Sequence, residues 1–195
     1  MTPPRAAFFD LDDTLIDTKG RLLPDALRRT AAALGVAASR LDASGKRIEE
    51  LVAPLGPLPE ELLAAAAAAW HSSEVPDLEP LPGVNAMLAR LRGRLLLFLV
   101  TRGNLLRQAR KLERCGLGPS FDRLVIRPID APGSKADDFR RLLLEHGLRP
   151  GECVVVGDDG HDELAHGAAL GCALLPVPAT PFEGIAARLL GEAAG

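Results

Sequence analysis

Four short stretches of this chain are apolar without interruption: Ala6-Ala7-Phe8-Phe9, Leu95-Leu96-Leu97-Phe98-Leu99-Val100, Leu124-Val125-Ile126 and Cys153-Val154-Val155-Val156. Ala173-Leu174-Leu175-Pro176-Val177 extends the series to a fifth. A strand with one face in water alternates polar and apolar residues. These runs do not, so they predict strands covered on both faces, as in a parallel sheet. Helical patterns lie between them at 105–115, 135–146 and 162–170, followed by Gly116, Gly147 and Gly171, residues suited to closing a helix. Strand and helix in steady alternation predict an α/β fold, a doubly wound sandwich.

One region breaks the alternation. Between Thr18 and Leu81 no strand is expected. A helix is predicted from Pro24 to Leu34, closed by Gly35, and a second within 41–52. A third starts at Pro59, carries Glu60 and Glu61 in its first turn and runs through six alanines to Trp70. Acids suit the positive end of a helix, and alanine is the best helix former. The organisation expected is an α/β core of residues 1–17 and 81–195, with a helical block of residues 18–80 inserted after the first strand.

Composition sets outer limits. The chain has 195 residues, enough for one core plus a small accessory domain. A net charge of −3 gives no basic surplus for gripping nucleic acid or an anionic membrane, so neither is expected as a partner. The longest apolar runs fall far short of the roughly 20 residues that span a bilayer. No apolar stretch stands behind a basic N-terminal head, and the three cysteines form no CxxC pair, so a reducing, cytoplasmic setting is expected. Only four of the 23 basic residues are lysines, and Lys19, Lys46 and Lys111 are read as solvated surface residues.

Acids cluster where the predicted strands end. Phe9 is followed by Asp10-Leu11-Asp12-Asp13-Thr14. In an extended chain Asp10 and Asp12 point the same way and repel unless a cation or a proton intervenes. Mg²⁺ with oxygen ligands would resolve that repulsion, while a loop in which Asp13 or Thr14 caps a helix explains the segment equally well. The second cluster, Gly157-Asp158-Asp159-Gly160-His161-Asp162, tips the balance. Parallel strands end on one edge, and several carboxylates converging there without a cation would be costly. Thr101 ends another strand and offers a hydroxyl near a helix start, either for a phosphate oxygen or as a cap. Lys135 enters a helix where the dipole disfavours it, which points to a functional reason. His161 and His166 are read as loop and helix-surface residues.

The order of these features resembles the haloacid dehalogenase superfamily of aspartate-nucleophile phosphohydrolases. Asp10, Asp12 and Thr14 match its DxDx[TV] motif, Thr101 the strand-ending hydroxyl, Lys135 the lysine near a helix start, and Gly157, Asp158 and Asp162 the GDxxxD motif. The resemblance spans roughly residues 6–178 and includes the Pro82-Gly83-Val84 approach to a helix. It departs at Arg102, where many relatives have asparagine. The fold implied is a Rossmann-like core with a small all-helical cap. The resemblance makes Asp10 the nucleophile and Asp12 the general acid and base. It places Mg²⁺ on the Asp10 carboxylate, the Asp12 carbonyl and Asp158. Asp159 or Asp162 would support the metal's water shell or Lys135. Thr101, Lys135 and, if it does not simply face solvent, Arg102 would hold phosphate. A cap of this size favours a small phosphorylated metabolite, of phosphoglycolate type among others, over a phosphoprotein. Arg21, Arg47, Trp70 and His71 are candidate substrate contacts, each as readily structural.

Other readings remain. A metal-free dehalogenase would lack Asp12, and a phosphomutase would share all four motifs. A binding-only relative would have no need of the intact acids. A phospho-receiver domain would place its lysine last and has no place for the helical insertion. The residues leave a monomer and a homodimer equally open.

Overall fold

The structure, a computed structural model, describes residues 3–45, 47–72 and 74–192. Lys46 lies outside the described residues. The chain divides into two compact units, Met1–Asp17 with Asp77–Gly195, and Thr18–Pro76.

The first unit is built on five parallel strands: β1 (Ala6–Phe9), β2 (Leu96–Gly103), β3 (Arg123–Pro128), β4 (Cys153–Gly157) and β5 (Ala173–Pro176). Their spatial order is β3-β2-β1-β4-β5. Central β1 is flanked on both sides, with Phe9 opposite Leu99 of β2 and Val156 of β4. All four β1 residues are buried, which is why the run carries no polar alternation. Phe8 packs on Phe98 and Phe139 on one face of the sheet, with ring centroids 5.3 and 4.7 Å away. Phe9, pointing the other way, packs on Phe121 at 5.9 Å.

Helices α4 (Val84–Leu91), α5 (Leu105–Arg114), α6 (Lys135–Glu145), α7 (Glu163–Leu170) and α8 (Phe182–Leu190) cover the sheet. Helix α8 has no counterpart in the sequence expectations. The chain moves from β1 outward to β2 and β3, then returns past β1 to β4 and β5. The order therefore reverses between β1 and β4, and in open α/β sheets the crevice at such a reversal, beyond the carboxyl ends of the strands, is where ligands bind. Asp10 and Asp158 follow these two strands. Residues 77–80 join this unit: Ile16 bridges Pro80, and Leu81 N donates to Leu15 O at 2.8 Å.

The second unit holds α1 (Leu23–Leu34), α2 (Ile48–Val52) and α3 (Glu60–Trp70), with no strand among its described residues. Its core is Ala31, Leu41, Ile48, Leu51, Val52 and Ala66. The helix expected within 41–52 is confined to α2. Asp42 Oδ1 accepts from Ser44 N at 2.9 Å and from Ser44 Oγ at 2.6 Å, which closes a turn instead. The helix expected from Pro59 forms, with Pro59 as its cap residue. Among the described residues no helix is long and apolar enough to cross a membrane.

Candidate active site

The first acidic segment leaves the sheet as a tight loop. Asp10 N still donates to Val156 O at 3.1 Å, which carries the strand pairing one residue past β1. Asp13 then takes a left-handed backbone, with φ +56°. Leu15 N donates back to Leu11 O at 2.9 Å, and Leu11, Leu15 and Ile16 are fully buried. These apolar anchors fix the loop that carries Asp10, Asp12 and Thr14.

Asp10 is buried against Lys135, whose Nζ donates to Asp10 Oδ1 at 2.8 Å. The same ammonium donates to Glu163 Oε2 at 2.9 Å and lies 2.9 Å from Asp162 Oδ2. Lys135 is the first residue of α6 and only 4% exposed, so it is not a solvated surface lysine. The start of α6 is tied down. Arg127 Nε donates to Asp138 Oδ2 at 2.7 Å, and Asp137 Oδ2 accepts from Ser134 N at 2.8 Å.

Three carboxylates around one cation leave a surplus of negative charge. Burial raises the Asp10 carboxyl from its ordinary 3.8 to about 7, with Glu163 and Asp12 adding to the rise and Lys135 opposing it. For Lys135, burial works against the charge, but the attraction of Asp10 and Glu163 outweighs it and raises the ammonium above its ordinary range.

Oxygens of Asp10, Asp158 and Glu163 all lie within 4.8 Å of one another. Thr14 Oγ1 donates to Asp158 Oδ1 at 3.3 Å. Glu163 was not among the candidates. It is 1% exposed, and its Oε1 accepts from Asp159 N at 2.7 Å. Gly157 makes room for it: a Cβ there would fall 2.2 Å from Glu163 Oε1. Asp162 faces Lys135, whereas the Asp159 side chain accepts from His161 N at 2.7 Å. His161 is an exposed loop residue, and His166 lies half-buried on α7.

Asp12 is held elsewhere. Lys111 Nζ donates to Asp12 Oδ1 at 2.6 Å, and Gln108 Nε2 donates to Asp12 Oδ2 at 2.7 Å. The expectation of a solvated Lys111 fails, because the side chain turns inward from α5 to meet this carboxylate and is 4% exposed. Lys19 is exposed as expected. Thr101 is buried inside β2 and accepts from Gln108 Nε2 at 2.7 Å. It does not cap α5; Asn104 does, accepting from Arg107 N at 3.0 Å. Arg102 is exposed, on the opposite face of the strand from Thr101, and donates to Ile129 O at 2.7 Å.

Comparison with known proteins identifies the family. The family model for haloacid dehalogenase-like hydrolases matches residues 4–171. A Methanopyrus kandleri protein named glyceraldehyde 3-phosphate phosphatase is 31% identical, over 79% of this chain and 75% of its own. Human N-acylneuraminate-9-phosphatase is 28% identical, over 86% of this chain and 79% of its own. Among solved structures, a haloacid dehalogenase-like hydrolase from Streptococcus pneumoniae superposes with a TM-score of 0.68 at 24% identity, covering 90% of this chain and 85% of its own.

Proposed function

Because the chain belongs to the haloacid dehalogenase-like hydrolases, we propose that it is a Mg²⁺-dependent phosphatase acting on a small phosphorylated metabolite through an aspartyl phosphate on Asp10. The observation that carries this reading is the buried Asp10 carboxylate, paired with Lys135 at 2.8 Å and within 4.8 Å of Asp158 and Glu163 oxygens. A nucleophile needs a defined position, and this one is held by a helix-borne lysine and a sheet-borne backbone.

The carboxylate set fits a hard divalent cation. Every donor is an oxygen, the surplus is negative, and Gly157 clears the space that brings Glu163 in. Mg²⁺ would be held by Asp10, Asp158, Glu163 and the Asp12 carbonyl. When bound, it supplies the positive charge that offsets repulsion between Asp10 and a phosphate anion.

The residues divide the work. An Asp10 oxygen attacks phosphorus and the bond to the leaving oxygen breaks. Asp12 enters this step protonated, gives that oxygen its proton and becomes the carboxylate, then regains a proton from the water that cleaves the aspartyl phosphate. The Thr101 hydroxyl and the Lys135 ammonium hold the phosphoryl oxygens as charge spreads over them. Asp162 keeps Lys135 in place. Arg102 is not needed in this scheme. The helical unit is the substrate-selecting cap. The substrate class is a small sugar phosphate or phosphorylated hydroxy acid, phosphoglycolate included, in keeping with the sugar-type substrates in the relatives' names.

Hydrolysis of p-nitrophenyl phosphate with and without Mg²⁺, by the wild type and Asp10→Asn, tests the reading. A panel of sugar and hydroxy-acid phosphates follows. Turnover that needs Mg²⁺ and disappears in Asp10→Asn is expected. Turnover surviving in Asp10→Asn, or indifferent to Mg²⁺ and chelator, overturns it.

A further inference from the structure

Helix α5 is built the wrong way round for a plain packing element. Its buried stripe is Gln108, Lys111 and Leu112, while Leu105 and Leu106 are each 52% exposed. Burying an amide and an ammonium in place of two leucines costs stability unless both find partners. Both do, and the partners are Asp12 and Thr101.

We propose that Gln108 and Lys111 are positioning residues that hold Asp12 and Thr101 for catalysis, an inference that rests on the phosphatase reading. Asp12 sits on a loop, and its side chain is 26% exposed. Left alone, such a carboxylate samples several rotamers. Here each oxygen has its own donor, Lys111 at 2.6 Å and Gln108 at 2.7 Å. Donor counting fixes the Gln108 amide. In its ionised form, the one that accepts from Lys111, Asp12 only accepts, so the NH₂ group faces it. Its second hydrogen goes to Thr101 Oγ1 at 2.7 Å. A hydroxyl that accepts there keeps its own proton to donate, which is the polarity a phosphoryl oxygen requires. One side chain thus orients both the acid that serves the leaving oxygen and the hydroxyl that grips the phosphoryl group. Gly103 permits the approach: a Cβ there would stand 3.2 Å from Gln108 Cγ and Cδ. Catalytic geometry tolerates little error, since a displacement of about 1 Å costs on the order of 10²-fold.

The test is the dependence of kcat/KM on the leaving group. Nitrophenolate departs without a proton, whereas an alkoxide needs one from Asp12. Lys111→Met and Gln108→Met keep side-chain bulk and remove the donors. Each is assayed with Mg²⁺ on p-nitrophenyl phosphate and on an alkyl phosphate that the wild type hydrolyses, with thermal melting to select folded variants. The expected result for Lys111→Met is a loss of about 10²-fold on the alkyl ester and only a few-fold on the aryl ester, whereas Gln108→Met, which also frees Thr101, loses activity on both and more on the alkyl ester. Equal losses on the two esters in Lys111→Met, or no loss in either variant, overturn the positioning role while leaving the phosphatase reading intact. A wild type that hydrolyses neither the aryl ester nor any member of the phosphate panel overturns that reading, and the positioning role with it.

Discussion

Lys135 and Lys111 are equally buried, each 4% exposed, and differ in the company they keep. Lys135 faces Asp10, Asp162 and Glu163. Lys111 faces Asp12, with a neutral amide beside it. The first cluster carries a surplus of negative charge, with Asp10, Lys135 and Glu163 nearly inaccessible to water and Asp162 at its rim. The second is balanced and borders solvent through Asp12. A balanced ion pair has little electrostatic use for a further cation; a surplus does. The contrast underlies the proposed division between a cluster that would hold a metal and a phosphate and one that would orient a side chain.

The largest effect expected is on Asp10→Asn, which removes turnover while leaving the protein folded. Lys135 keeps Asp162 and Glu163 as partners, and a buried charge is lost. Activity assays paired with thermal melting check this. A variant that melts far below the wild type would show that Asp10 holds the fold together rather than serving chemistry alone.

Lys135→Met strikes the same cluster from the other side. It strands Asp10 and Glu163, both nearly inaccessible, without their cation. Breaking a buried pair this way costs about 3–5 kcal/mol, measured by urea denaturation without metal. Added Mg²⁺ should return part of the loss. A cost below about 1 kcal/mol, within the range of surface ion pairs, would show that the carboxylates escape to water and that the charge surplus is not real.

Much of this was legible in the chain because burial on both faces leaves strands no polar residues to hide behind. The runs ending at Phe9 and Val156 therefore announced themselves, and the acids after them followed from parallel topology. Lys135 was legible through its conflict with a helix dipole. Glu163 was not, because an acid in the first turn of a helix is what the dipole favours anyway, so its burial leaves no trace in the pattern. Gln108 and Lys111 were hidden for a related reason. On α5 the leucines at 105 and 106 look like the inward face and the polar residues like the outward one, and only the partners waiting at Asp12 and Thr101 invert the order. Helix α2 fell short of expectation because Asp42 and Ser44 closed a turn with side-chain oxygens that competed with the helix.

Glu163→Gln sharpens the contrast by lowering the surplus by one charge without emptying the space. Mg²⁺ affinity should fall about 10- to 100-fold, the range seen when a group that supports a metal is altered. Calorimetric titration of Mg²⁺ into the folded variant reads it. Asp162→Asn, whose side chain is 34% exposed, should change affinity less. The reverse order would move the cation from Asp10, Asp158 and Glu163 towards Asp162.

The same surplus has a pH signature. Asp10 binds its proton more tightly in the folded protein, about 7 against an ordinary 3.8. Its contribution to stability is then full below about pH 4 and lost as pH rises through about 7. Under the proposed function Mg²⁺ would replace the proton, so its addition should raise the melting temperature more at about pH 8 than at about pH 5. Asp10→Asn should shrink that difference. Equal stabilisation at both pH values would place the cation away from Asp10.

The smallest effect belongs to the balanced cluster. Lys111→Met removes an ammonium from a carboxylate that already meets solvent, and Asp12 can exchange the lost donor for water while keeping its bond from Gln108. The methionine side chain preserves most of the apolar contact made by the lysine stem. The expected stability cost is about 1 kcal/mol, a single hydrogen bond's worth, with no response to Mg²⁺. Urea denaturation of Lys111→Met beside Lys135→Met is the direct comparison. If the two variants lose equal stability, equal burial rather than unequal charge governs both lysines, and the distinction between a metal-holding and an orienting cluster fails at its physical root.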